Sequence, residues 1–387
     1  MANNPLIKSF SKWRILIPVV IGLAITSWMI YQSVSQTTFV KVEEKTGNYK
    51  WVDSNGNKTL DIHDESHFIP VPQGDYNLES FNSVLASINW GFQVWFWLLM
   101  AFFFMIGRDL FYIIRIRILT KGELSWRRSF IVIMLWEFAS ALSPGVVGGA
   151  AVATFILNRE KITLGRSTAI VVITALLDNL FYVLMIPLVF IVIDQNALFP
   201  ASVEGSRSVQ AVFWTGFAVI SSICAFLFLS IFIFPNLAKS ALGFVFRILF
   251  LKRWRSSAIQ TGEEIYTTSK ELKKEPISFW VTAFLSTCGS WISRYLVINA
   301  ILQAFLNLTV FEHFLLLGKQ LVLWLFMLIS PTPGASGIAE YAFGELLSNF
   351  TTSAMLLVAL AVIWRLISYF PYLIIGAVLV PRWLRGR

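Results

Sequence analysis

The sequence predicts an all-α polytopic membrane protein, and three observations carry that expectation. Of the 387 residues, 56% are hydrophobic and only 14% are charged, and the mean hydropathy of +0.68 lies far above that of a soluble chain of this size. Apolar runs of about membrane-crossing length recur at 15–30, 92–114, 167–193, 209–234, 277–305 and 353–380. Two further apolar regions, 129–157 and 314–347, are each cut near the middle by a Ser-Pro-Gly-rich stretch. The expected architecture is six full spans plus two re-entrant helical hairpins, about eight hydrophobic segments, arranged as an inverted-topology repeat.

At the N-terminus Lys8, Lys12 and Arg14 precede the run from Ile15 to Ile30, and Ser33-Val34-Ser35 follows it, the layout of a signal peptide and its cleavage site. A retained first span is the preferred reading, because the run approaches the ~20 residues that cross a bilayer. Residues 37–91 are polar, with eight acids from Glu43 to Glu79 against four lysines, and belong outside. Within them Tyr49–Val52 and Lys58–Leu60 flank Ser54-Asn55-Gly56-Asn57, so a small β-hairpin with an Asn-Gly turn is expected in this extracytoplasmic loop. The Asp53, Asn55, Asn57 alternation fails as a calcium loop, since Gly56 is misplaced and no bidentate Glu follows. His63 and His67 lack the helical periodicity that would bring both to one metal. Cys224 and Cys288 each lie inside an apolar run, which leaves no material for a disulfide framework. Neither metal nor cofactor is expected.

Loop charge decides how the broken regions are counted. If each turns back on itself, then Arg115, Arg117, Lys121, Arg127 and Arg128, then Arg159, Lys161 and Arg166, the basic 239–274 stretch, and Arg382, Arg385 and Arg387 all share one side with Lys8, Lys12 and Arg14. That side is the cytoplasm by the positive-inside rule. If each broken region crossed once, the 159–166 and 239–274 charges would fall outside. The formal charge of +9 thus reads as orientation, and no nucleic acid is expected as a partner. The chain divides into an N-terminal span (1–36), the extracytoplasmic loop (37–91), a first repeat (92–193), a linking span with a basic cytoplasmic segment (194–276), and a second repeat with a basic C-terminus (277–387). The placement is the prokaryotic cytoplasmic membrane, with both termini cytoplasmic. Ala241 to Trp254, basic at its end, reads as an interfacial helix.

The breaks are Ser143-Pro144-Gly145-Val146-Val147-Gly148-Gly149 and Ser330-Pro331-Thr332-Pro333-Gly334-Ala335-Ser336-Gly337. Unwound backbone survives at membrane depth only where protein or a water-filled cavity satisfies it. The two breaks are therefore expected to face inward towards each other, and discontinuous helices at corresponding positions of two halves mark a transport site. The competing reading is that Gly and Pro merely allow kinks and close packing. Nine charged residues lie in or near the apolar segments: Arg108, Asp109, Glu137, Asp178, Arg294, Lys319, Glu340, Glu345 and Arg365. Each costs on the order of 2.5–3.5 kcal/mol at the bilayer centre. Arg108, Asp109, Lys319 and Glu345 are read as structural and close enough to a boundary to snorkel. The other five are deeper. They either pair with one another for structure or serve a substrate, the arginines holding a phosphate bidentately while half-helix N-termini offer N–H groups to an anion. The candidate substrate-binding set is Arg365 and Arg294 first, then Glu340, Asp178 and Glu137, with Ser143, Pro144, Gly145, Gly148, Gly149, Ser330, Pro331, Pro333, Gly334 and Gly337 of the breaks.

The two breaks, Pro333-Gly334-Ala335-Ser336-Gly337-Ile338-Ala339-Glu340 above all, together with Arg365 in the last span, resemble the flippase-like membrane domain of the lysylphosphatidylglycerol synthetase family, also found in the multiple peptide resistance factor. The resemblance runs from about Phe92 to Val380. Ala335 stands where a further glycine is usual, and Gly149-Ala150 where many relatives carry an acid. The resemblance implies a translocator of an amphipathic lipid with an anionic or aminoacylated headgroup, or of a polyprenyl-linked precursor, and not an enzyme. The longest cytoplasmic segment is too short for the aminoacylating domain of the larger relatives. No Walker motif is present, so an ion gradient or the lipid gradient is expected to supply the energy. The alternatives are a membrane-embedded enzyme, or enzyme partner, acting on lipid headgroups, and a scaffold subunit. Expected partners are membrane lipids, with a second copy of the chain or a lipid-modifying enzyme.

Overall fold

The computed structural model describes residues 37–42, 45–54, 60–62, 64–143, 145–199, 203–234, 270–330, 332, 334–351 and 353–385, with a few isolated positions besides. Nearly all of the expected first span, the Asn55-Gly56 turn, His63, the interfacial segment 241–254, and Pro144, Pro331 and Pro333 lie outside the described residues.

The polar loop folds into one antiparallel sheet of four strands, β1 (Thr37–Lys41), β2 (Gly47–Trp51), β3 (Phe68–Gly74) and β4 (Tyr76–Ser80), in the order β1-β4-β2-β3. The fold is thus mostly helical with a small sheet, where an all-α protein with a hairpin was expected. β2 does carry Tyr49-Lys50-Trp51, but it pairs with β3, Trp51 opposite Phe68 and Lys50 opposite Ile69, while Leu60 lies in no strand. Packing accounts for the choice. The Phe39 and Phe68 rings stack with centroids 3.7 Å apart, and Tyr49 and Tyr76 meet them edge-on. Lys58-Thr59-Leu60 has no aromatic to offer that cluster, and cross-strand aromatic pairs are what select a partner. β4 runs into the short helix α1 (Phe81–Ser87), capped reciprocally by Ser80 and Ser83.

The longer helices that follow are α2 (Phe92–Leu119), α3 (Trp126–Leu142), α4 (Gly145–Arg159), α5 (Leu164–Val192), α6 (Val203–Phe228), α7 (Ile277–Leu306), α8 (Val310–Ile329), α9 (Ile338–Leu347), α10 (Ala354–Ser368) and α11 (Phe370–Arg385). Among the described residues five stretches are long and apolar enough to cross a membrane: 92–119, 164–192, 209–233, 310–328 and 354–385. The protein is a multi-pass α-helical membrane protein. This set departs from the expected one at two places. α8, 20 residues long, runs unbroken far enough to qualify, whereas α7, at 30 residues, is long enough but not apolar enough. Its Ser286, Thr287, Ser290, Ser293 and Asn299 are buried, so its polar face is turned to protein. Uncovered apolar side chains such as Trp95, Phe102, Phe103 and Ile106 on α2 suit a lipid environment and would be penalised in water.

α2 and α7 form the central pair. Gln93 donates to Asn307 at 2.6 Å, Gly107 lies against Ser293 and Gly289 against Phe111, and Arg115 donates to Thr287 at 3.2 Å. Each step towards the C-terminus of one helix meets a step towards the N-terminus of the other, so the pair is antiparallel along most of its length. A Cβ on Gly289 would come within 2.7 Å of the Phe111 ring, so the missing side chain sets the spacing.

Each broken region folds back to the end it started from. α3 leaves the C-terminal end of α2, and α4 returns there: Glu160 lies 3.9 Å from Arg128, and Arg166 reaches Glu123 at 2.5 Å. α8 leaves the opposite end, beside Asn307, and α9 returns there, since Ser353 just beyond it donates to Glu79 of the sheet at 2.5 Å. α10 and α11 link the two ends, because Arg159 and Glu160 bond the backbone of Leu384 and the ring nitrogen of Trp383.

Candidate functional site

A cavity of about 330 Å³ lies where the two breaks meet. The first break reaches it through Ser143, the second through Thr332, Gly334 and Ala335, and the predicted residues Glu137, Asp178, Arg294 and Arg365 line it. α3 ends at Leu142 because Ser143 turns extended (φ −88°, ψ 134°). Ser330 ends α8 in nearly the same conformation (φ −64°, ψ 129°). Proline following a serine favours that turn out of the helix in both places. Gly334 takes φ +59°, and a Cβ there would sit 2.2 Å from the Tyr369 ring. Tyr369 in turn donates to the carbonyl of Ala141 at 3.2 Å, so one tyrosine touches both breaks.

Not every predicted residue reaches the cavity. Gly145, Gly148 and Gly149 lie within α4, and Gly149 serves packing, since a Cβ there would lie 2.5 Å from the Ser140 hydroxyl and 3.3 Å from its Cα. Ser330 is buried and holds the hydroxyl of Thr332 at 2.9 Å. Gly337 opens α9 at φ +93°, and its N–H donates to Glu340 at 2.7 Å. At α9, therefore, the chain's own carboxylate occupies the N–H of Gly337 that an anion was expected to take.

Four arginines and four carboxylates meet around the cavity. Arg365 donates through Nε to Glu340 at 2.7 Å and through Nη1 to the Gly334 carbonyl at 3.0 Å, while its Nη2 is buried without a partner. Arg115 grips Asp178 at 2.6 and 3.4 Å, and Trp291 donates to the same carboxylate at 2.9 Å. Arg108 pairs with Glu137 and, at 3.3 Å, with Asp109. Arg294 differs: among the described residues it has no ion pair, and its guanidinium lies over the Trp291 ring at 5.2 Å. The predicted carboxylates are thus partly spent on structural pairs, Glu137 with Arg108 and Asp178 with Arg115. Arg108, expected to snorkel, is 1% exposed and ion-paired, and Lys319 is also 1% exposed, since long side chains on inward helix faces have no route to a boundary. Glu345 is exposed. Arg115, counted as loop charge, is buried because α2 continues to Leu119. Its signal was present in the sequence: Arg108, Tyr112 and Arg115 fall on one helix face. Aromatic residues complete the wall, with Trp136, Trp291, Trp324 and Trp364 among them.

A sequence profile of the family described as lysylphosphatidylglycerol synthase TM region matches residues 73–376. A protein of Archaeoglobus fulgidus described as a UPF0104 membrane protein is 26% identical over 301 residues, covering 74% of this chain and 86% of that protein. No solved structure matches. The matched span takes in the central helix pair, both breaks and the arginine-lined cavity, and the chain belongs to the lysylphosphatidylglycerol synthase transmembrane-region family.

Proposed function

We propose that this protein moves an amphipathic lipid, bearing an anionic or aminoacylated headgroup on a phospholipid or a polyprenyl-linked precursor, between the leaflets of a prokaryotic cytoplasmic membrane. The observation that carries the reading is Arg294, a guanidinium without an ion-pair partner among the described residues, on the wall of a cavity shared by both breaks. A planar guanidinium offers two parallel N–H donors to a phosphate, and the buried, unpartnered Nη2 of Arg365 adds a third. At about 330 Å³ the cavity stands at the small end of ligand sites. It suits a headgroup whose acyl chains stay among the membrane lipids.

In this reading α3–α4 and α8–α9 are re-entrant hairpins that enter from opposite faces, and the antiparallel α2–α7 pair is the axis of an inverted repeat. The basic segments lie in the cytoplasm with both termini, and the sheet lies outside. The protein acts on lipid position and makes or breaks no bond in it.

The test is purified protein in liposomes with fluorescent phosphatidylglycerol, whose exposure to an external quencher reports movement between leaflets. Loss of a hydrogen bond to a charged group costs about 1.5–3 kcal/mol, so Arg294→Ala is expected to slow movement about tenfold to a hundredfold at equal protein. Equal rates for wild type and Arg294→Ala would overturn the reading.

A further inference from the structure

The charges around the cavity do not cancel in place. Arg115 with Asp178, and Arg365 with Glu340, are one-to-one pairs. Arg108 instead serves two acids, Glu137 on α3 and Asp109 beside it on α2. The hydroxyl of Tyr372 on α11 faces both oxygens of Asp109, at 2.9 and 2.7 Å, and the rings of Tyr112 and Tyr372 lie 4.9 and 5.0 Å from the guanidinium. Arg108 is 1% exposed, and its Nε has no partner. The helices around this group supply no further cation to it: α7 brings Arg294, α10 brings Arg365 with its own acid, α4 carries no charge before Arg159, and α11 none before Arg382. The cluster therefore holds one negative charge in excess, Arg294 one positive, and the wall as a whole is neutral when the cavity is empty.

We infer that the Asp109–Arg108–Glu137 cluster is a proton-binding site that takes up one proton whenever an anionic headgroup pairs with Arg294, so that headgroup and proton move together. This rests on the lipid-translocation reading and names its coupling ion. A monoanionic phosphate that neutralises Arg294 leaves the cluster's excess charge without compensation in apolar surroundings, where an unbalanced charge is costly. Two carboxylates on one guanidinium are the groups able to relieve it, since like charges in close contact favour protonation of one of them. The proton is given up by a hydronium ion or buffer acid of the bathing solution, which becomes water or the buffer base; water entering with the headgroup relays it, and it forms an O–H bond on Asp109 or Glu137. The other acid stays ionised against Arg108, and no other bond changes. Glu137 lines the cavity, which gives the proton its entry. A headgroup that carries its own positive charge needs no such compensation and binds without proton uptake.

The experiment measures lipid binding and proton uptake together on the whole solubilised protein. Short-chain phosphatidylglycerol is titrated into weakly buffered protein near neutral pH, with calorimetry for binding and a pH dye for protons. The expected result is about one proton taken up per lipid bound, none with short-chain phosphatidylcholine, and near zero per lipid bound in both Glu137→Gln and Asp109→Asn. Each variant leaves one acid for one arginine. Should Glu137→Gln fail to fold, Asp109→Asn makes the same test, and the wild-type stoichiometry decides without either. Binding with no proton uptake, or binding that requires sodium instead, overturns the proton inference and leaves translocation standing. Absence of both binding and movement overturns the translocation reading, and this inference with it.

Discussion

Gly334 and Ala335 sit side by side in the left-handed region, at φ +59° and +56°, and they predict opposite outcomes. Left-handed backbone costs an L-residue roughly 1–2 kcal/mol. At Ala335 that strain is already present, and the methyl is 6% exposed, so Ala335→Gly trades relieved strain for about 0.8 kcal/mol of lost burial. The variant is expected to melt within about 1 kcal/mol of wild type. Gly334→Ala adds the strain and drives a methyl to 2.2 Å from the Tyr369 ring. A loss of more than about 2 kcal/mol is expected there, read as an earlier unfolding midpoint in detergent. It should bring slower lipid movement as well, because Tyr369 holds the Ala141 carbonyl of the other break. Equal melting of the two variants would show that the second break is not built on these angles. Glycine at 334 was legible in the sequence as a break. The partner that makes it indispensable was not, because Tyr369 is 35 positions further along and only the folded chain brings it near. Arg294 and Arg365 were legible as costly charges in apolar runs, but which of the two stayed free of a carboxylate was not. Pairing depends on helix rotation, which the one-dimensional pattern of α7, polar on more than one face, leaves undetermined.

The hairpins show the same division. Proline and glycine between two short apolar pieces marked the breaks within 129–157 and 314–347, and the return of each broken region within the membrane is the reading proposed from the loop charges. The contacts that close them, Arg128 with Glu160 and Ser353 with Glu79, join residues far apart in sequence, so the pattern could suggest the return but not its partners. The expected partner of β2 differed for a related reason. The Asn55-Gly56 signal pointed to 58–60, and the remote stack of Phe39 on Phe68 favours Phe68–Gly74 as the strand beside β2. Within the first hairpin, Gly149 lets α4 lie against α3 at Ser140, and this predicts a graded series. Gly149→Ala meets a hydroxyl that can rotate away, and it should cost under about 1 kcal/mol. Gly149→Leu adds three more carbons beyond a Cβ that already stands 3.3 Å from the Ser140 Cα, and overpacking of this kind costs about 1–3 kcal/mol. The check is the midpoint of thermal unfolding in detergent across the series. A flat series would mean that the hairpin has room to spare and that the glycine serves something other than packing.

For the molecule as a whole, the decisive relation is between its two ends. The sheet, the start of α2, the α7–α8 turn and the return of α9 all gather at one end, held by Gln93 on Asn307 and Ser353 on Glu79. The return of α4, the start of α5 and the close of α11 gather at the other, held by Arg159 and Glu160 on the last turn of α11. α10 and α11 together run 354–385 between them, long enough to cross a membrane. If the bilayer lies across that axis, residue 161 and residue 349 are on opposite sides, with the basic end inside. If instead each broken region crossed the membrane once, both positions would be outside. Lys161 and Asn349 are exposed, so either can be replaced by cysteine with little cost to folding, in a background where Cys224 and Cys288 are serine. A membrane-impermeant maleimide added to intact cells is expected to label Asn349→Cys directly and Lys161→Cys only after permeabilisation. Labelling of both from outside would remove the hairpins and, with them, the alignment of the two breaks on one cavity. Labelling of the opposite pattern would keep the hairpins and invert the protein, placing the sheet and its acids in the cytoplasm against the distribution of its lysines and arginines.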